Sequence, residues 1–265
     1  MRPMDATGRR QPAWATALPA RRSPAASPGA STPGPARVPV PPIPDVDLSE
    51  VPFAVVDVET TGGSPSCAFL TEIGAAVYVG GQRVAVFDQL VDPGVPIPPF
   101  ITELTGIDDA TVAGAPTASQ VLPALCQHLA GCVLVGHNLP FDVAFLDAAL
   151  VDGGHPPLDH HRVDTLVLAR RLLRDRVPNF KLGTLAAALA LPNQPSHRAL
   201  ADVFATADLL HWQLERLAQD GVLRLPQLLA AAGTSRQPRT ATPTTTASPA
   251  TTATPATTAT PAPRA

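Results

Sequence analysis

Phe53-Ala54-Val55-Val56-Asp57-Val58-Glu59-Thr60-Thr61-Gly62 is the stretch whose reading decides this chain. Its first residues form a short, continuous apolar run rich in β-branched side chains, as expected of a buried strand, and the run ends on a carboxylate. Asp57 and Glu59 stand two apart, so on an extended strand end both side chains point to the same side. Taken alone that is a weak signal, because many surface strands carry Asp-x-Glu. The following Thr60-Thr61-Gly62 reads as a tight turn that closes the strand.

Outward from this strand the pattern stays regular. Residues 70–79 and 82–91 are apolar, β-branched stretches joined by Gly80-Gly81, which predicts a hairpin. Asp92-Pro93-Gly94 with Pro96, Pro98 and Pro99 breaks the chain into a loop. Residues 117–129 carry helical apolar spacing with Thr117 or Ser119 as the cap, and 132–135 is a buried strand. A helix over 140–150 has Pro140 in its first turn, where a missing N–H does no harm. A short strand over 162–164 precedes helices over 165–173 and 182–189 and a long helix over 196–219, capped by Ser196. The fold class is α/β, a mixed sheet with helices on its faces.

Two further clusters repeat the theme of the first. Gly136-His137-Asn138-Leu139-Pro140-Phe141-Asp142 follows a strand, and His197-Arg198-Ala199-Leu200-Ala201-Asp202 opens a helical run. Asn138 and Asp142 are four apart and share a side if the helix begins at Asn138. The plainer reading is that Asn138 caps the helix and Asp142 favours its positive end. His137 reads as a locally packed or hydrogen-bonded residue. His197 and Asp202 lie roughly 500° apart around a helix, so only an unwound first turn brings both to one place. Four carboxylates converging at one sheet edge would repel each other and stay ionised only around cations, and hard oxygen ligands suit Mg²⁺ or Mn²⁺.

Composition bounds the domain. Residues 1–48 are dominated by Pro, Ala, Arg and Ser, and 233–265 repeat Thr-Ala-Thr-Pro variants, so both read as disordered tails around a 49–232 domain. The N-terminal segment is Arg-rich like an organelle transit peptide, but its prolines interrupt any amphipathic helix. The tails carry nine Arg against three Asp, and the core ten basic against nineteen acidic residues, within a net charge of −3. An acidic core argues against simple electrostatic binding of nucleic acid unless cations intervene. Arg170, Arg171, Arg174, Arg176 and Lys181 form a basic run that reads either as a solvated face or as a backbone-contacting patch. Cys67, Cys126 and Cys132 lack zinc-ligand spacing and read as buried apolar residues of a cytoplasmic protein, and no apolar stretch approaches a membrane span.

The three clusters together resemble the three motifs of the DEDDh 3′→5′ exonucleases, the ribonuclease H-like family that includes the proofreading epsilon subunit of bacterial DNA polymerase III. The resemblance spans residues 51–220 and keeps all five signature residues in order. It implies a ribonuclease H-like sheet, with Asp57, Glu59, Asp142 and Asp202 holding two Mg²⁺ (Mn²⁺ substituting) and His197 as general base. Thr60, Thr61 and Gly62, with Asn138 and Phe141, would meet the substrate. That substrate would be a single-stranded DNA 3′ end or, in the alternative, the end of a short RNA or tRNA. A DNA polymerase or another replication or repair component would be the partner. Phe100 to Ile107 resembles the family's loop-helix beside the substrate groove, and Glu72-Ile73-Gly74 and Lys181-Leu182 match as scaffold. Gly63 stands where the family usually has an apolar residue, and Cys67-Ala68 replaces common polar ones. Degenerate exonuclease domains lose one of the five residues, so their retention here favours an enzyme over a silent nucleic-acid-binding module. Gln227-Leu228-Leu229 reads as a helix end rather than a sliding-clamp peptide.

Overall fold

The structure is a computed structural model that describes residues 42–233. Apart from residues 42–48 and Gly233, the two tails lie outside the described residues. The strands are β1 (Phe53–Thr60), β2 (Leu70–Val79), β3 (Gln82–Leu90), β4 (Val133–Gly136) and β5 (Arg162–Asp164). They form one mixed sheet in the order β3-β2-β1-β4-β5, with β1 antiparallel to β2 and parallel to β4. Gly80 and Gly81 both have positive φ, 56° and 77°, as a two-residue hairpin between right-twisted strands requires.

Alternation along β1 divides the core. Ala54, Val56 and Val58 pack on one side with α3 (Ala118–Leu129) and α4 (Pro140–Asp152). Phe53 and Val55 pack on the other with α7 (Ala199–Gln219) and α8 (Leu225–Ala231). Asp57 and Glu59 continue the odd-numbered face, so the parity that buries Phe53 under α7 delivers both carboxylates to the start of that helix. Three more short elements, α1 (Pro99–Thr105), α2 (Asp109–Val112) and α6 (Leu182–Ala188), and α5 (Thr165–Leu173) complete the fold.

The structure departs from sequence expectation in several places, each with a physical reason. The proline-rich stretch is loop as far as Pro98, and α1 opens at Pro99, in the segment that resembles the family's loop-helix, because a proline's fixed φ fits the first helical position and its missing N–H costs nothing there. The long helix begins at Ala199 rather than Ser196, and Ser196 is not its cap. Instead the Ser196 N–H donates back to the Asp202 carboxylate at 2.8 Å. Residues 43–48, assigned by composition to the tail, belong to the folded domain. Val46 and Leu48 pack on the core, and their backbone pairs with Leu225 and Leu223. Cys67 is exposed, not buried, because it sits in the loop after β1; Cys132 alone of the three is fully buried. Gln227 to Leu229 lies within α8, where Leu228 and Leu229 are buried, as expected of a helix.

One close approach fixes α7 against the sheet. A Cβ added to Gly74 on β2 would lie 2.7 Å from the carbonyl carbon of Ala199 and 2.8 Å from the Leu200 nitrogen. Only glycine lets the first turn of the helix reach the strand. Gly74→Ala should therefore destabilise the domain by about 1–3 kcal/mol, the usual cost of overpacking. It should also lower turnover, because α7 carries Asp202. Thermal denaturation and a single-substrate assay check both, and an unchanged melting temperature would show that the helix start can shift freely.

Candidate functional site

The site forms where β1 outruns its parallel neighbour. Pairing of β1 with β4 stops at Val55, and the chain leaves β4 at Gly136 to turn into α4. The Val58 N–H, beyond that last pair, is taken by the Asp142 carboxylate at 3.1 Å. Asp142 thus replaces a strand as the acceptor and is 4% exposed as a result. Gly136 permits the turn, since a Cβ there would meet Leu139 Cδ1 at 2.9 Å.

Asp202 enters from the first turn of α7, and His197 precedes that helix in left-handed backbone with φ 56°. Donor atoms of Glu59, His197 and Asp202 all lie within 4.8 Å of one another. The unwound turn that the five-residue spacing demanded is therefore present, and the exposed His197 stands beside both carboxylates. This trio is close enough to share one cation, a closer association for His197 than a distant proton acceptor would need.

Electrostatics report the same convergence. Burial, then repulsion from Asp142, Asp202, Glu59 and Glu72, pushes Asp57 well above the usual carboxylate range. Glu59 is raised to about 7, by burial first and then by Asp202 and Glu72, with Arg198 opposing. Burial also raises Asp142 and Asp202, against the backbone N–H bonds each accepts. Such a set of hard oxygen donors, short of positive charge, has the chemistry of a divalent cation site. The Arg198 guanidinium that opposes the rise at Glu59 is itself tied to Glu72.

A stability consequence follows from Glu59. Its folded-state value near 7 lies above the ordinary 4.5, so its contribution is fully present below pH 4.5 and is lost as pH rises through 7. Metal-free protein should melt at a lower temperature at pH 8 than at pH 5, with Mg²⁺ reversing the loss and Glu59→Gln shrinking it. Calorimetry in chelator and in Mg²⁺ checks this; a melting temperature that rises across that interval in chelator would contradict it.

The remaining residues expected at the site divide by role. Thr60 and Thr61 are buried, and their hydroxyls hold the turn: Thr60 donates to the Gly62 carbonyl at 2.7 Å and Thr61 accepts from the Phe69 N–H at 2.9 Å. The Thr61 N–H itself donates to the Phe69 carbonyl, so it is committed inside the loop. Gly62 packs close to Ala68, whose Cβ would lie 3.3 Å from an added Cβ. Asn138 is exposed in left-handed backbone and supplies no side-chain cap to α4. Phe141 is half-buried with its ring 5.0 Å from that of Phe145. His137 makes both ring bonds, to Thr165 Oγ1 at 2.9 Å and to the Phe180 carbonyl at 2.8 Å. Because a carbonyl only accepts, Nε2 carries the proton there. Arg170, Arg171, Arg174, Arg176 and Lys181 are all exposed.

Two further residues stand at the site: Asp164, which no motif singled out, and Glu72, which the sequence marked only as scaffold. Asp164 accepts from the N–H groups of Asn138 (3.0 Å) and Leu166 (2.9 Å), fastening the turn after β4 to the start of α5. Glu72 faces Glu59 across the β1–β2 pair and grips Arg198. The signal for Glu72 was its register in the hairpin, and for Arg198 its place next to His197.

The chain is 42% identical over 193 residues to a Mycobacterium tuberculosis protein named as a bifunctional exonuclease/endonuclease, covering 68% of this chain and 29% of that one. It is 38% identical over 176 residues to a PolC-type DNA polymerase III of Caldanaerobacter subterraneus, covering 66% and 12% respectively. The chain thus spans less than a third of the length of these relatives. Among solved structures, Exonuclease X in complex with 5′ overhanging duplex DNA superposes with a TM-score of 0.54 at 26% identity, covering 68% of this chain and 99% of that one. Escherichia coli Exonuclease I in complex with a dT13 oligonucleotide shares the fold, with a TM-score of 0.56 at 20% identity over 64% of this chain and 43% of that one. The fold is the ribonuclease H-like one expected from the sequence. Among the described residues no helix is long and apolar enough to cross a membrane. Residues 54–210, more than half of the chain, match the family model RNase_T, described as Exonuclease, and the chain belongs to that exonuclease family.

Proposed function

We propose that this protein is a metal-dependent 3′→5′ exonuclease that releases nucleoside 5′-monophosphates from single-stranded DNA. The observation that carries the reading is the convergence of Asp57, Glu59, Asp142, Asp202 and His197 on one sheet edge in a chain of the exonuclease family. Asp57, Glu59, Asp142 and Asp202 would hold two Mg²⁺ or Mn²⁺ ions. When bound, these would supply Lewis-acid stabilisation of the charge developing on the phosphodiester and would acidify a water.

The rest of the work falls to side chains. His197, exposed beside Glu59 and Asp202, accepts the proton of the attacking water as its oxygen bonds to phosphorus. The bond from phosphorus to the 3′ oxygen of the preceding nucleotide breaks, and that oxygen takes a proton from solvent. Thr60 and Thr61 hold the turn in shape, so that the Gly62 backbone, with Asn138 and Phe141, receives the terminal nucleotide. Phe141 offers a ring face for base stacking, which tolerates any sequence. Exposed Arg174, Arg176 and Lys181 add positive charge for the phosphate backbone. Exonuclease I and Exonuclease X are seen with DNA, and PolC-type polymerases carry a similar segment. A polymerase or another replication or repair component is the partner these likenesses suggest for this chain.

Digestion of matched 5′-labelled DNA and RNA strands with Mg²⁺, Mn²⁺ or chelator tests the reading. A ladder shortening from the 3′ end with metal, and none with chelator, is expected on DNA. Faster loss of RNA would move the assignment to an exoribonuclease. Equal digestion of circular DNA would remove the exonuclease reading.

A further inference from the structure

Glu72 is 2% exposed on β2, two residues before the glycine that admits α7. A carboxylate so buried needs partners, and it has them all in one short segment after His197. Arg198 donates to both of its oxygens, through Nε at 3.1 and 3.2 Å and through Nη2 at 2.6 Å. The backbone N–H of Ala199, the first residue of α7, donates to Glu72 Oε2 at 2.8 Å. Glu72 is therefore the acceptor that the helix start otherwise lacks, since Arg198 at the cap position makes no side-chain cap bond. Its strand register sets it directly opposite Glu59.

His197 is held between this fastening and the Ser196–Asp202 hydrogen bond. It occupies left-handed backbone, which costs a non-glycine residue about 1 kcal/mol or more and persists only where the surroundings enforce it. On one side Ser196 donates to Asp202; on the other Arg198 and Ala199 are fixed to Glu72. Bidentate pairing to arginine fixes orientation as well as distance.

We propose that Glu72 is a positioning residue for His197, clamping Arg198 and the Ala199 amide so that the strained turn presents the imidazole beside Glu59 and Asp202. The inference rests on the reading of His197 as proton acceptor. Glu72 acts through the Arg198 side chain and the Ala199 amide, the two residues that follow His197 into α7.

A double-mutant cycle separates this role from others. Glu72→Gln should lower kcat by about 10- to 100-fold with little change in KM, the scale expected when a reacting group is displaced by about 1 Å. Arg198→Ala breaks the same clamp from its half-exposed side and should give a similar loss, and it decides the matter even if the Glu72 variant folds poorly. In a His197→Ala background both substitutions should have almost no further effect on kcat. Mg²⁺ dependence should be unchanged throughout. If Glu72→Gln or Arg198→Ala lowers kcat equally with and without His197, Glu72 acts on the metal carboxylates or the fold and the proposal is overturned. If Arg198→Ala leaves kcat at the parent value, the clamp has no role in turnover and the proposal is likewise overturned. If His197→Ala alone costs less than tenfold, it is the assignment of His197 that fails, which is a separate outcome of the same cycle.

Discussion

Asp57→Asn, Asp142→Asn and Asp202→Asn should each lower turnover at least ~10³-fold, the scale at which members of a catalytic unit are lost. Their effects on stability should differ, and the difference is diagnostic. Asp57 is crowded by four other carboxylates, with burial as the largest penalty on its charge. Neutralising it relieves repulsion in metal-free protein, so Asp57→Asn should melt higher than the parent in chelator and lose the further gain that Mg²⁺ confers. Asp142 and Asp202 also accept structural N–H bonds, from Val58 at 3.1 Å and Ser196 at 2.8 Å. Asparagine keeps an acceptor at both places, so these two variants should stay near parent stability. Alanine would forfeit about 1 kcal/mol more for each lost bond. Melting in chelator and in Mg²⁺, alongside single-turnover digestion, checks the set. A large drop in metal-free stability for Asp57→Asn would mark it as a structural residue and not part of a cation site.

His197→Ala should reduce kcat by about 10²–10⁴, the usual contribution of a positioned base. An imidazole accepts a proton only when neutral, so the parent rate should fall on the acid side and the variant should lose that dependence, measured at saturating Mg²⁺ so that the carboxylates stay ionised. Because the imidazole lies within 4.8 Å of donor atoms of Glu59 and Asp202, metal affinity is the second quantity to record. A kcat loss with unchanged metal affinity supports proton transfer; a metal affinity that falls in step with kcat would make His197 a ligand. His137 is a poor substitute for either role, since both of its ring nitrogens are engaged and burial lowers its pKa.

Much of this architecture is legible in the amino-acid sequence. The strand opening at Phe53, the glycine hairpin and the helices that begin near Thr117, Pro140 and Thr165 follow from local periodicity and turn chemistry, which neighbouring residues decide among themselves, while β1 runs on to Thr60 and α4 to Asp152 beyond the bounds read from the sequence. The same holds for Asp57 and Glu59, whose shared side is a property of any extended backbone. His197 was harder, because spacing alone set it off the face of Asp202, and only an interruption of the helix could reconcile them.

What the chain could not say in one dimension concerns contacts formed across long separations. Asp142 looked like a helix-end carboxylate, yet its hydrogen bond is to Val58, 84 residues earlier. Glu72 looked like scaffold, yet it holds Arg198 and Ala199, more than 120 residues later. The sequence by itself determined the elements and the chemical kind of the site, because periodicity, turn residues and carboxylate spacing act locally. The tertiary structure alone decided where α7 begins, which amides the buried carboxylates accept and how His197 is strained into place. Those are settled by close packing at Gly74 and by the requirement that every buried charge find a partner, and neither is a property of any short stretch of chain.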